Sequence, residues 1–129
     1  MRHLLAVTLT ALSLASAATA AITERTSGPS AKWSNPVNRA LLRLARCETG
    51  YLKGGRVNWR HHNSVYTGGL GFAHSTYRYY KQFVRPVPKA EYARDASVAE
   101  QLAVGRVLVR TFGGYSSWPS CSRRLGLAG

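Results

Sequence analysis

The chain has 129 residues and carries eighteen Lys and Arg against five Asp and Glu, a formal net charge of +13 at pH 7. That length excludes more than one ordinary domain and leaves room for one modest core. The charge points to anionic partners, such as wall polymers, acidic peptides on glycan, phospholipid headgroups or nucleic acid, without choosing among them. It reads equally as a solubility feature.

Residues 1–20, MRHLLAVTLTALSLASAATA, open with Arg2 and His3, continue through an apolar run from Leu4 and end on Ala18-Thr19-Ala20. A short basic start, an apolar middle and a small-x-small close are the layout of a secretory signal peptide. The run is shorter than the about 20 apolar residues that a membrane span needs. An exported protein is therefore expected, with residues 21–32, AITERTSGPSAK, as a polar flexible leader and 33–129 as the folded domain. Cys47 and Cys121 are the two cysteines. Export puts them in an oxidising compartment. A bridge between them would stabilise the domain by about 4 kcal/mol in the chain-entropy model.

Asn35 is a good N-cap and Pro36 suits the first helical position. Val37, Leu41 and Leu44 follow at helical spacing, which predicts a first helix ending near Glu48. Residues 49–73 hold six glycines and no helical period, as suits loops and a small hairpin about Gly68-Gly69. A second helix is expected from Ser75 to about Val84, with Tyr80 and Phe83 inward, before the Pro-punctuated stretch VRPVPKAEY. Ser97-Val98-Ala99-Glu100 reads as a capping box. It opens a third helix whose inward stripe is Val98, Leu102, Gly105, Val109 and Phe112, stopped by Gly113-Gly114. A glycine on that stripe costs helix stability, so Gly105 marks close contact between helices. The tail YSSWPSCSRRLGL reads as loop plus one helical turn. The fold class expected is mainly α, with at most a small α+β element.

One acid stands out. On a helical wheel Glu48 lies about 20° from Val37, within the apolar stripe. It also closes the helix, where the macrodipole disfavours negative charge. Partial desolvation and the dipole both favour the protonated form, while Arg43 and Arg46 push the other way. A neutral carboxyl in an apolar pocket is how glycoside-cleaving enzymes donate a proton to a leaving oxygen. The plain alternative is a helix-end acid, solvated or paired with an arginine. Glu24 falls in the leader, Glu100 in the capping box, and Glu91 and Asp95 in the polar approach to the third helix. No second carboxylate partner is evident.

LARCETG at Leu44–Gly50, Asn58-Trp59, YTGGLGFAHSTY from Tyr66 and YSSWPSCSRRLGL together resemble the resuscitation-promoting factor family. The likeness runs from about Trp33 to Leu127. It implies a lysozyme-like or lytic-transglycosylase-like fold and cleavage of the MurNAc-β-1,4-GlcNAc bond of peptidoglycan, outside the cell at the wall. By the same resemblance Glu48 is the catalytic acid, Cys47 and Cys121 are paired, and Thr76 lies near the cleft, with Tyr77 where tryptophan is usual. Gly71 and Gly113 stand where the family has glutamines, and about six extra residues surround YLKGGRV. No cofactor is implied. The implied partners are peptidoglycan strands and anionic wall polymers, with a cell-wall endopeptidase as a further candidate, for a monomer with no specific nucleic acid.

Trp59, Tyr66, Tyr77 and Trp118 are the candidate sugar platforms, since a pyranose face packs on an aromatic ring. Each also reads as core filler, Trp118 most of all. Thr76 could bond the glycan or cap the second helix with Ser75. His61, His62 and His74 lack metal-site spacing, so no metal is expected. Beside the enzyme stand two other classes, a catalytically weak wall-binding or signalling module and an exported cationic protein that binds polyanions by charge alone.

Overall fold

The computed structural model describes residues 24–25, 35–50 and 54–127. The expected signal peptide, residues 1–20, lies outside the described residues. Of the expected leader, Glu24–Arg25 forms a two-residue strand, β1. Among the described residues no helix is long and apolar enough to cross a membrane.

Helix α1 spans Pro36–Thr49 and starts as its sequence dictates. The Asn35 Oδ1 accepts from the backbone N–H of Val37 at 2.8 Å and of Asn38 at 3.4 Å, which satisfies donors that a helix start leaves open. Leu41 and Leu44 are fully buried on its inner face. Each such leucine stabilises the fold by about 1.5–3 kcal/mol. The helix stops at Gly50, whose N–H returns to the Arg46 carbonyl.

The glycine-rich middle folds into a short hairpin. Strands β2, Tyr66–Thr67, and β3, Phe72–Ala73, pair antiparallel with Tyr66 opposite Ala73 and Thr67 opposite Phe72. Helix α2, His74–Tyr80, leaves β3 directly and continues as a 3₁₀ turn, Lys81–Phe83. Strand β4, Val84–Arg85, then pairs in parallel with β1.

Helix α3, Val98–Phe112, carries both expected terminal devices. The Ser97 hydroxyl accepts from Glu100 N–H at 3.1 Å, and the Glu100 carboxylate accepts from Ser97 N–H at 2.9 Å. Gly113 closes it in the left-handed region at φ +69°. Gly105 faces α1 and the hairpin loop as its place on the stripe implied: a Cβ there would sit 3.0 Å from methyls of Leu41 and Leu70. Phe112 departs from the expected stripe. It is 51% exposed, because the last turn of α3 runs past the core and leaves the ring on an outer aromatic cluster with Tyr80.

Helix α4, Pro119–Arg124, follows Trp118, and Cys121 bonds Cys47 with the Cα atoms 5.9 Å apart. The bridge ties the end of α1 to α4. A helix-rich core of Leu41, Leu44, Leu70, Phe72, Leu102 and Leu108 thus sits between α1, α3 and the hairpin.

Candidate active site

The last turn of α1 gives four consecutive side chains four different roles. Arg46 lines a basic cavity, Cys47 makes the disulfide, Glu48 lines a groove, and Thr49 enters the hairpin loop. Successive helical residues differ by about 100°, so one turn can serve all four roles. Glu48 is held between two anchors. On one side is the disulfide. On the other the buried Thr49 hydroxyl lies 2.9 Å from the Gly69 carbonyl, to which it donates, and accepts from Asn58 N–H at 3.2 Å.

Gln101 fixes the loop that faces this turn. Its carbonyl accepts from Gly69 N–H at 2.9 Å, while its amide donates to the Trp59 and Ala96 carbonyls at 3.1 and 3.2 Å. Gly69 is required there, since a Cβ would sit 2.4 Å from the Trp59 ring. Trp118 Nε1 donates to the Leu70 carbonyl at 2.9 Å and locks the same loop from the far side.

The groove consists of two adjoining cavities of about 260 and 340 Å³ that share Tyr66, Gly71, Ser117 and Trp118. Glu48, Thr49 and His61 line the first; Thr76, Tyr80 and Phe112 line the second. Glu48 is half-buried, and burial raises its carboxyl above the usual range while the Arg124 guanidinium pulls it partway back. Among the described residues no hydrogen bond or ion pair reaches that carboxyl, and it is the sole carboxylate lining either cavity. Asp95 meets Arg60 and Arg94, Glu91 meets Arg78, and Glu100 caps α3. Across from Glu48, Gly71 at φ +61° leaves open space: a Cβ there would lie an ordinary 3.8 Å from Glu48 Oε2.

The structure distributes the sequence-predicted residues unevenly. Glu48, Tyr66, Thr76 and Trp118 come together along the groove. Tyr66, 48% exposed, stands at its rim, whereas Trp118 offers little more than an edge from a buried position. Trp59 lines neither cavity, because its ring is packed over Gly69. Tyr77 is corrected outright. It is fully buried against Phe72, with ring centroids 5.9 Å apart, and has no exposed surface to give a sugar. Neighbouring helix positions face different ways, so Thr76 at the groove puts Tyr77 inside. Burial pushes its phenol up. The three histidines diverge. His62 and His74 stack with centroids 4.9 Å apart beside Tyr92, while His61 turns to the groove. His61 was weighed from the sequence only as a metal ligand, and Ser117 and Gln101 escaped sequence reasoning. Only the buried position of Gln101 on the α3 stripe side carried any signal, as a polar residue beside Leu102.

This is a small lysozyme-like α-rich domain with one groove acid, braced by a disulfide. Resuscitation-promoting factor Rpf1 of Corynebacterium glutamicum is 34% identical to it over 88 residues, which cover 66% of this chain and 39% of that protein. That similarity supports a place in the resuscitation-promoting factor family. The chain spans well under half the length of this curated relative. No family model and no solved structure matches the chain.

Proposed function

We propose that this protein acts outside the cell on peptidoglycan, cleaving the MurNAc-β-1,4-GlcNAc bond with Glu48 as its proton donor. The observation that carries this reading is a half-buried carboxyl, raised above its usual range, alone on the wall of a groove. In the first step the Glu48 carboxyl gives its proton to the glycosidic oxygen as the bond from muramic acid C1 breaks. The positive charge that develops at C1 needs a nucleophile. A hydrolase of the two-carboxylate kind supplies it with a second acid, and none lines this groove among the described residues. The sugar's own 6-hydroxyl serves instead. Glu48, now a carboxylate, takes the O6 proton as O6 bonds C1, leaving a 1,6-anhydro end and a regenerated acid. The muramic N-acetyl group steadies the charge between the two steps.

Tyr66 at the rim packs a pyranose face, and the Thr76 hydroxyl bonds a sugar further along. The domain works as a monomer without a cofactor. A cell-wall endopeptidase is a fitting partner, since glycan and peptide cuts together release wall fragments. Incubating the oxidised protein and its Glu48→Gln variant with peptidoglycan tests the reading. Soluble muropeptides should fall at least about 100-fold in the variant, and mass spectrometry should find anhydro ends. A muramic reducing end would replace the trapping step by hydrolysis and keep Glu48 as acid.

Gly71 favours a second reading. A glycine where the resemblance expects glutamine removes a polar side chain directly across from Glu48. A catalytically weak wall-binding or signalling module follows if both forms bind peptidoglycan equally and neither releases fragments.

A further inference from the structure

A third cavity, of about 380 Å³, opens beside the disulfide. Arg43, Arg46, Cys47 and Gly50 line it from α1 and its end, Gly55 from the following loop, and Arg124 and Leu125 from the end of α4. Three arginines therefore line one space, with no carboxylate among the lining residues. The chain has few acids: Glu91 and Asp95 pair with Arg78, Arg60 and Arg94, Glu100 caps α3, and Glu48 acts on Arg124 from the groove without lining this cavity. None of the three cavity arginines has an ion pair among the described residues.

Gathering like charges costs energy, and two features of the fold impose the arrangement. The Cys47–Cys121 bridge clamps the end of α1 to α4 and so holds Arg43 and Arg46 against Arg124. Arg43 Nη2 also donates to the Leu125 carbonyl at 3.3 Å, which aims its fork along the cavity wall. Guanidinium forks match the paired oxygens of carboxylates and phosphates, and glycines at the mouth allow close backbone approach. Leu125 and the cystine add an apolar wall for the atoms that carry the anion.

We infer that this cavity is a binding site for an oxyanion group carried by a wall polymer, separate from the groove. The shared chemistry is a phosphodiester or carboxylate held by Arg43, Arg46 and Arg124. The site holds the protein on its polymer; Arg124 also acts on Glu48 through its charge, but binding the anion takes no proton from Glu48.

Side-chain NMR of the arginine Nε–H groups in the intact, disulfide-bonded protein tests this. The probes are a glycerol phosphate oligomer, a glutamate-containing peptide with free carboxylates, and inorganic phosphate. Saturable shifts should appear at Arg43, Arg46 and Arg124. Affinity should fall by about tenfold or more in Arg46→Gln/Arg124→Gln, and should hold in Arg78→Gln/Lys89→Gln, which removes the same charge elsewhere. Tighter binding of the phosphate oligomer or of the peptide names the source of the anion, and both support the site. Shifts that grow together at every exposed arginine, or an equal loss in the control variant, would overturn it. The same titration on Glu48→Gln keeps the two proposals apart: binding that persists there stands whether or not the protein cleaves glycan.

Discussion

Asn38 and Glu48 are both polar side chains on α1 that the fold withdraws from water, and they are treated differently. Asn38 is fully buried, and Arg106, itself 3% exposed on α3, donates from Nη1 to its Oδ1 at 2.6 Å. The Asn38 Nδ2 finds no partner among the described residues. Glu48 at the other end has no partner for either oxygen among the described residues, and it faces a groove instead of a core. Where a polar group serves only packing, another helix answers it. On the proposed reading of Glu48 as proton donor, the answering group is left to the glycan.

Breaking the frame that holds both ends has the largest expected effect. Replacing Cys47 and Cys121 by alanine frees a loop with a sequence separation of 74. That costs about 4 kcal/mol and lowers Tm by on the order of 20 °C, read by calorimetry. Arg106→Met then tests the Asn38 end. It strips the Asn38 carboxamide of its partner in a dry core and should cost about 2–3 kcal/mol in urea unfolding. A neutral outcome would mean that Arg106 contributes packing and not pairing.

The smallest effect sharpens the other end. Burial raises the folded Glu48 pKa, with Arg124 opposing. A raised carboxyl contributes its stability below the ordinary carboxylate range and loses it as pH climbs to the folded value. Glycan release through the protonated acid should accordingly fall as pH rises through that raised value. Arg124→Gln removes the charge that favours the carboxylate, so the falling limb of the pH–rate profile should move to higher pH. A limb that stays put, or moves down, would contradict the role given to Arg124.

Much of this was legible before any coordinates, and the reasons are local. Asn35-Pro36, the Ser97–Glu100 box and Gly113 act within one turn of the chain, so their residue types report their own geometry. Glu48 was legible because a charged letter in an apolar stripe stands out against its neighbours. Gly105 was legible for the converse reason, an absent side chain where one is due. Tyr77 and Phe112 misled. Each lies where helical phase meets the edge of the core, and a ring there turns in or out according to what another element brings. The arginine cavity could not be read at all. It is assembled from α1 and α4, far apart in the chain, and exists only once the cystine joins them.

The run from Arg46 to Thr49 has a consequence for how such a chain can diverge. Its four roles depend on angular order, so exchanging one letter harms one role, but inserting or deleting a single residue after Leu44 would turn the whole set by about 100°. An insertion would turn Cys47 to the groove and Glu48 into the hairpin loop; a deletion would turn Thr49 to the groove and Glu48 towards Cys121. Spelling at this helix end is negotiable; its arithmetic is not.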